Sequence, residues 1–317
     1  DFENALRGTD ALGGLEDYYA LVLMDGDRMG AWLSSLGAGD GALGRPRYEE
    51  LWHPRIRNAA LEEAPALQAY YRDRASPSPA YHAAVSRALG DLALDVLPTV
   101  VEEEHLGKII YAGGDDLLAM VSVTDLLSLL ARLREVYRGE QPANQATTAP
   151  LKVGSGHVLV NAPHKSGRRR LLRVMGNRAT ISVGAVVAHH MTPLAAVLSD
   201  LRAAEGRAKQ AGRDAVSITL AKRSGGTTHI TVPYVAGREQ TACQPLRVIE
   251  RLRGALSNEL SRRAAYHLMS QLPSLPSQLA APELQALLGA TAAYQLQRQS
   301  RSRDRERLEA LAALGRE

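Results

Sequence analysis

The first 220 residues of the chain alternate between two hydrophobic patterns. Short, nearly continuous apolar runs are typical of buried strands, and apolar residues repeated every three or four positions predict helices that bury one face. The predicted strands are residues 18–24, 179–188 and 216–220, and the predicted helices cover about 80–104, 124–137 and 192–211. The pattern therefore indicates a fold that mixes strands with helices.

Four residues mark expected ends of these elements. Pro98 is expected to kink or end part of the 80–104 helix, because proline lacks an N–H group. Thr124 and Thr192 have the side chain of an N-cap, and proline follows Thr192 directly. Gly212 is expected at the C′ position, where a helix commonly ends.

Residues 107–122 form a different pattern, with two apolar halves around Gly-Gly-Asp-Asp at 113–116. This pattern predicts a tight hairpin, in which Gly113 and Gly114 supply the positive φ of the turn. The resulting order is strand, helix, hairpin, helix, strand, helix, strand. That order predicts an α+β fold built on a palm-like sheet.

The remaining segments predict a division into two domains. Residues 36–79 are expected to be an insertion, with a glycine-rich loop followed by helical segments. A further short strand is possible at 157–160, and residues 245–317 show helical patterns only. We therefore expect a palm domain over 1–226 and a mainly α-helical C-terminal domain over 227–317.

Composition excludes some classes of protein. The chain has 317 residues, 45% of them hydrophobic and 23% charged, with a net charge of +4, which suits an ordinary globular protein. Its single cysteine, Cys243, excludes a disulfide framework and a thiolate metal cluster. Aromatic residues make up 4%, so base stacking is not indicated. Because the sequence shows neither a membrane span nor a signal-peptide pattern, a cytoplasmic location is expected.

Paired carboxylates are the first sign of chemistry. Asp25-Gly26-Asp27 ends the first predicted strand, and Asp115-Asp116 lies at the hairpin tip. Adjacent carboxylates repel one another and do not stabilise a turn, but they become useful around a divalent cation that also holds phosphates. The ordinary alternative for an Asp-x-Asp pattern is a solvated turn.

Two cations complete the pattern. Lys209 and Arg213 are four residues apart, around the end of a predicted helix. Their simplest role is to complement the helix dipole. Combined with the acids, they match the equipment of nucleotidyl transfer, in which metal ions activate the reacting groups and basic side chains hold the triphosphate.

Three motifs resemble those of the GGDEF/palm nucleotide cyclases: Tyr111–Asp116, Ile181–Ala185 and Glu205–Asp214. The resemblance implies a ferredoxin-like palm of the GGDEF and polymerase type. It also implies site residues in three roles. The implied catalytic residues are Asp25, Asp115 and Asp116, and the implied metal ligands are the same three aspartates with the carbonyl of Gly26. The implied nucleotide-binding residues are Lys209, Arg213, Gly113, Gly114 and Asp27.

Over about residues 18–226 the chain is most similar to the large subunit of type III CRISPR effector complexes of the Cmr kind. The stretches Leu23–Leu33, Ser78–Ala88 and Ala188–Leu194 carry this resemblance. It implies that the palm converts ATP into 3′-5′ cyclic oligoadenylate with Mg²⁺ or Mn²⁺, when the complex engages target RNA. The implied partners are the other subunits, the guide RNA and the target RNA, with no membrane.

The chain also departs from these families. A diguanylate cyclase would have asparagine where this chain has Leu33, which favours ATP over GTP. The His-Asp pair of the family's nuclease domain and its first palm are both missing, so we expect the C-terminal half of a larger subunit or a reduced version of it. Two alternatives stay open, a catalytically silent palm scaffold and a guanine-specific cyclase.

Other residues have weaker signals. His189 and His190 end a predicted strand, where histidines are more often structural than functional. The arginines at 168–170 and those between 298 and 307 could meet RNA phosphates, although a solvated charged face is the simpler interpretation. Cys243 has no evident partner and is expected to be an ordinary residue.

Overall fold

The structure, a computed structural model, forms two compact units, Asp1–Val232 and Pro233–Glu317. Strands and helices mix in the first unit, which confirms the α+β fold class. The described residues are 17–34, 47–51, 54–73, 78–142, 150–154, 156–161, 169–237, 243–261, 263–271, 281–301 and 304–316. The glycine-rich loop predicted at 36–47 lies outside them except for residue 47.

A six-stranded sheet organises the first unit, and its strands are β1 Tyr18–Gly26, β2 Gly107–Gly113, β3 Asp116–Val121, β7 Ile181–His189, β8 Ala215–Ala221 and β9 Thr227–Pro233. Their order across the sheet is β2-β3-β1-β7-β8-β9. The central strand β1 runs antiparallel to both of its neighbours, β3 and β7, whereas β7 and β8 are parallel. The predicted strands and hairpin are confirmed, and β9 extends the sheet past residue 226.

The helix predicted over 80–104 is present, but Pro98 does not end it. It begins as α5, Pro79–Asp91, and continues through two wider π-type turns, Leu92–Val96 and Thr99–Glu103. Pro98 keeps helical angles, φ −59° and ψ −42°, between these turns. Wider turns free carbonyl groups, and the Thr99 hydroxyl donates a hydrogen bond to the Asp95 carbonyl at 2.9 Å.

Helix α6, Leu126–Arg138, and helix α7, Leu194–Gln210, cover the sheet. Both begin slightly later than expected, because their N-cap positions are Asp125 and Pro193 and neither has a side-chain cap hydrogen bond. The threonine caps predicted from sequence are therefore wrong. Gly212 follows the end of α7 with a φ of 110°, as a C′ glycine does.

Helix α7 lies directly on the sheet because of Gly184 in β7. A Cβ at residue 184 would collide with the backbone of α7 at Glu205 and Leu201. Only glycine therefore allows the helix to approach this closely. Gly184 belongs to the Ser-x-Gly motif, and this contact gives that glycine a physical reason.

A second sheet of three antiparallel strands was almost invisible in the sequence. It consists of β4 Leu151–Gly154, β5 His157–Asn161 and β6 Arg169–Arg173. Of these, only β5 was predicted. The strand β6 has a single buried residue, Leu172, and so lacks the continuous apolar run that marks a central strand.

The inserted segment is helical where it is described. Its helices are α2 Tyr48–Leu51, α3 Pro54–Glu63 and α4 Leu67–Arg72, and helix α1, Met29–Ser34, precedes it directly after β1. The second unit is formed by α8 Pro245–Asn258, α9 Arg263–Gln271, α10 Ala281–Arg298 and α11 Arg305–Arg316. Leu260, Leu296 and Leu311 lie at its core.

Candidate metal and nucleotide site

Three carboxylates meet where β1 ends beside the hairpin of β2 and β3. The register pairs Met24 of β1 with Leu117 of β3, so Asp25 lies next to the start of β3. Asp25, Asp115 and Asp116 each offer one oxygen, and these oxygens lie within 4.8 Å of one another. The structure therefore brings together the three predicted catalytic acids, although Asp25 lies 90 positions before Asp115 in sequence.

Gly26 allows this close approach. A Cβ at residue 26 would lie 2.7 Å from the Asp115 Cβ and 2.5 Å from the Tyr137 hydroxyl oxygen. The Gly26 amide donates a hydrogen bond to Asp115, which favours the charged form of that carboxylate. Glycine at this position thus has a steric role beside the metal-binding role implied by the resemblance.

Asp115 and Asp116 have raised pKa values, partly because neighbouring carboxylates repel their charges. Burial, followed by the negative charges of Asp115 and Asp25, raises the pKa of Asp116 to about 6. Burial is also the main cause of the raised pKa of Asp115, and the charge of Asp25 adds to it. Carboxylates that hinder one another's ionisation are stabilised by an added positive charge.

Lys209 supplies part of that charge. Its Nζ lies 2.9 Å from Asp25 Oδ2 and 2.5 Å from Glu205 Oε1. Burial alone would lower the pKa of Lys209, but the hydrogen bonds and charges of Glu205 and Asp25 outweigh it and raise the pKa. Because α7 packs on Gly184, this lysine reaches the end of β1.

Asp27 occupies a different environment, although it is only two residues from Asp25. Its side chain is 3% exposed. It accepts hydrogen bonds from the hydroxyl groups of Thr180 and Ser182, both at 2.7 Å, and from the backbone N–H of Asp214 at 3.0 Å. This geometry favours a structural anchor and gives no support to the predicted nucleotide contact.

The loop after α7 is held from two sides. Arg213 and Asp214 have positive φ values of 68° and 43°, which non-glycine residues adopt only when their surroundings impose them. Arg134 of α6 fixes Asp214 with two hydrogen bonds, of 2.8 and 2.9 Å. The Arg213 side chain is 42% exposed, with its Nε 3.9 Å from Asp27 Oδ1, so it lies close to the site without being firmly held.

The two glycines of the hairpin have different roles. Gly114 has the predicted positive φ of 63°, but Gly113 has no such angle, and this part of the prediction is wrong. The Tyr111 ring lies over Gly113 instead, with its hydroxyl oxygen 2.6 Å from the position of a Cβ at residue 113. Glycine is thus needed at residue 113 because a side chain there would collide with the Tyr111 ring.

Sequence reasoning missed Tyr137. Its side chain is 1% exposed, and its hydroxyl lies beneath the acids, 3.7 Å from the Met29 sulfur. Burial, followed by the charges of Asp115 and Asp27, raises its pKa above the ordinary value, so the phenol stays protonated. Tyr137 lies on the buried face of α6, where an aromatic residue has no distinctive sequence signal.

Asp25, Asp115 and Asp116 form an acid cluster whose donor chemistry fits a divalent cation. Carboxylate oxygens are hard ligands of the kind that Mg²⁺ and Mn²⁺ take. Three of them converge here from the end of β1 and the tip of the β2–β3 hairpin, with raised pKa values at Asp115 and Asp116. The cluster therefore has the donors for a cation, as the sequence suggested.

A second group of possible ligands, Asp17, His189 and His190, lies at the opposite end of β1. Here the hydrogen bonding argues against a metal. Both ring nitrogens of His189 already face N–H donors: Nδ1 accepts the Met191 N–H at 3.1 Å, and Nε2 lies 3.5 Å from Arg223 Nη1. The positive charge of that guanidinium also disfavours a cation here. A structural role fits these histidines better.

The other basic residues are dispersed. Arg170 pairs with Asp95 at 2.6 Å and so ties β6 to the π-type segment. Arg168, Arg303 and the side chain of Arg305 lie outside the described residues. Across the described part of the chain, no helix combines the length and the apolar character needed to cross a membrane.

The fold and the site together define a class. A mixed sheet with a carboxylate-tipped hairpin beside its central strand is the architecture of palm domains, and the family comparison agrees. The model for the second palm domain of Cas10/Cmr2 matches residues 18–217. The chain therefore belongs to the Cas10/Cmr2 palm family.

Two curated relatives are named as the Cmr2 subunit of the CRISPR system Cmr. The one from Pyrococcus furiosus is 31% identical over 164 residues, or 52% of this chain and 16% of its own length. The one from Saccharolobus solfataricus is 29% identical over 123 residues, or 39% of this chain and 10% of its own length. The match thus spans a small part of each relative.

Solved structures of the type III-B Cmr-beta complex share the fold. A chain of the apo state aligns with 91% of this chain at a TM-score of 0.60 and 17% identity. A chain of the complex bound to cognate target RNA aligns with 90% at a TM-score of 0.61 and 17% identity. In both cases the alignment covers 35% of the other chain.

Proposed function

We propose that this palm is a nucleotidyltransferase that joins ATP molecules into 3′-5′ cyclic oligoadenylate. The carrying observation is the convergence of Asp25, Asp115 and Asp116 within 4.8 Å, with Lys209 at 2.9 Å from Asp25. Carboxylates that hinder one another's ionisation, next to a lysine, suit a metal–triphosphate ligand, since that ligand brings both the positive and the negative charges that the site lacks.

The three aspartates would hold Mg²⁺ or Mn²⁺, and the family resemblance adds the Gly26 carbonyl. Held by these residues, a divalent cation would lower the pKa of the attacking 3′-hydroxyl and neutralise charge on the α-phosphate. Lys209 binds the triphosphate, exchanging its contact with Asp25 for phosphate oxygens. Arg213, 42% exposed and loosely held, is free to turn toward the same phosphates.

Two observations favour ATP over GTP and an enzyme over a scaffold. Leu33 of α1 is 41% exposed and has no group to hydrogen-bond the guanine edge. Burial and the charges of Asp115 and Asp25 raise the pKa of Asp116 to about 6, and Lys209 offsets them only in part. This favours a site that takes a further cation over a purely structural cluster.

We further propose that the chain acts in the cytoplasm within a type III CRISPR ribonucleoprotein. Its family, and the Cmr subunits and Cmr-beta complexes that it matches, support this placement. Other subunits, a guide RNA and a target RNA are the partners, and target RNA is the trigger of synthesis.

The test uses the chain assembled with its partner subunits, guide RNA and target RNA, with labelled ATP or GTP and Mg²⁺ or Mn²⁺. We expect wild type to convert ATP into cyclic oligoadenylate and pyrophosphate. Replacing Asp115 and Asp116 with asparagine should reduce the rate at least about a thousandfold, because the metal loses two ligands. The matched control is Glu62→Gln with Glu63→Gln, which removes two adjacent carboxylates from the exposed end of α3.

Each outcome decides between the candidates. Turnover of ATP that the Asp115/Asp116 variant lacks and the control keeps supports the proposal. A product made from GTP alone supports a guanine-specific cyclase. If the assembled complex turns over neither nucleotide, both enzyme proposals fail and a silent scaffold is left.

A further inference from the structure

Among the described residues, one strip of the main sheet beside the acid cluster is only partly covered. Side chains alternate along a strand, so Asp116, Leu118 and Met120 of β3 point to one face. The register adds Tyr111 and Gly113 of β2, which pair with Leu118 and Asp116. The strip therefore begins at a predicted metal ligand and runs about 13 Å along β3.

Helix α7 covers the neighbouring strands on this face. It packs on β7, β8 and β1, and Leu23, opposite Leu118, lies in the same row as Gly184. On β3, Leu118 is still partly buried, because it packs against the core cluster that includes Val197 and Leu201 of α7. Among the described residues the cover ends beyond it, since Tyr111 is 56% exposed and Met120 is 43% exposed. Residues of this size are normally more deeply buried in a sheet.

Tyr111 has a defined position on this strip. Its phenol lies over Gly113, toward the hairpin tip, where a Cβ would collide with it. In the described part of the structure its hydroxyl has no hydrogen-bond partner. An aromatic ring held beside a carboxylate cluster, with one side open, has the position of a stacking platform.

The chemistry of the strip limits what can bind there. Tyr111, Leu118 and Met120 offer an aromatic ring, an aliphatic side chain and a thioether, and none of them is charged. The basic residue at its far end, Lys108, is paired with Glu102 at 3.0 Å. Such a surface suits a flat heteroaromatic ring and does not attract a phosphate.

We propose that Tyr111, Leu118 and Met120 form a nucleobase shelf, on which the base of a nucleotide stacks while its phosphates lie at the acid cluster. This inference rests on the proposed function, because it needs a nucleotide at Asp25, Asp115 and Asp116. It assigns the purine to the open face of the β2–β3 hairpin. Tyr111 is the main contact, and Met120 supports the outer edge of the base.

The experiment measures the Kd of ATP and of inorganic triphosphate for the assembled complex with Mn²⁺, together with kcat and KM for ATP. Tyr111→Ala should weaken ATP binding about tenfold, the range expected for one stacked base. Tyr111→Phe should stay within about twofold of wild type, because the ring is kept. Triphosphate binding should not change in either variant, because it has no base.

Ile110→Ala is the matched control. Ile110 is a neighbour in β2 with similar exposure, 57%, but it lies at the irregularity in the β2–β3 register and outside the strip. Its substitution should leave the Kd of both ligands unchanged. Met120→Ala should weaken ATP binding about threefold and leave triphosphate binding unchanged.

The outcomes separate this inference from the proposed function. If wild type turns over ATP and Tyr111→Ala binds ATP normally, the shelf is wrong and the function stands. If Tyr111→Ala weakens ATP and triphosphate equally, the residue acts through the acid cluster and the shelf is wrong. A variant that fails to assemble but binds ATP normally assigns the strip to a protein partner. Wild type that binds no ATP overturns both.

Discussion

Asp25 and Asp27 lie two residues apart at the end of one strand, yet their surroundings are opposite. The Asp27 carboxylate is 3% exposed and accepts three hydrogen bonds, so its charge is matched by the protein. Asp25 faces Asp115 and Asp116, and within the described part of the chain its cationic contact is with Lys209. We call the surroundings of Asp27 the Asp27 anchor, in contrast to the acid cluster around Asp25.

The difference separates a carboxylate that stabilises the fold from carboxylates that await a ligand. A buried charge persists only when it is well hydrogen-bonded. Carboxylates that repel one another at a partly exposed edge lower the stability of the folded protein. Binding a metal ion or a proton removes the repulsion and restores that stability. Each of the following changes tests one side of this comparison.

The largest effect is expected at the Asp27 anchor. Asp27→Ala leaves the hydroxyl groups of Thr180 and Ser182 and the Asp214 N–H without an acceptor, and should destabilise the protein by about 3–5 kcal/mol. Urea denaturation measures this change. Asp25→Ala is the matched control and should change the unfolding free energy by less than about 1 kcal/mol. Equal losses would show that the two acids do not differ as described.

The next effect concerns the contact that brings Lys209 to the acid cluster. Gly184→Ala places a methyl group against the backbone of α7 and should destabilise the protein by about 1–3 kcal/mol. The control is Gly206→Ala on α7, where a Cβ meets nothing within 4 Å and helix propensity improves. Thermal unfolding should therefore shift down for Gly184→Ala and slightly up for Gly206→Ala.

The third effect is the pH dependence of metal binding. The pKa of Asp116 is raised to about 6, so a proton competes for its carboxylate below that pH. Mn²⁺ affinity should fall about tenfold between pH 7 and pH 5, as the fraction of the ionised form falls. Titration followed by electron paramagnetic resonance measures it. In Asp116→Asn the affinity should be lower at pH 7, and this step should be much shallower.

The smallest effect is a gain in stability. Because the folded-state pKa of Asp116 lies above its ordinary value of 3.8, the folded protein binds more protons than the unfolded chain between about pH 4 and pH 6. Stability is therefore lost as the pH rises through that window. Without metal at pH 7, Asp116→Asn should recover about 1 kcal/mol, or roughly 2–4 °C, after allowance for solvent screening.

At pH 3 the same substitution should have no effect, since both the folded and the unfolded chain are then protonated. A loss of stability at pH 7 would mean that Asp116 is held by favourable contacts, as Asp27 is. Differential scanning calorimetry with a chelator present gives both values.

The local sequence pattern was enough to predict the strands and the helix that carry the site. The continuous apolar run before Asp25, the Gly-Gly-Asp-Asp turn and the apolar stripe leading to Lys209 each depend on neighbouring residues. Strand pairing then places the strand end and the hairpin tip together. The α+β class was predictable for the same reason, whereas the family was indicated by the resemblance of these motifs to known ones.

Only the tertiary structure decided the roles within these motifs. Asp27 is indistinguishable from Asp25 in sequence, and its anchor comes from partners more than 150 positions away, Thr180, Ser182 and Asp214. Tyr137 and Gly184 act through contacts across the sheet, and β4 and β6 are too polar or too short to have a clear pattern. Periodicity reports which face of an element is buried. Charge compensation and close approach depend on which distant groups share a place in space, and folding alone determines that.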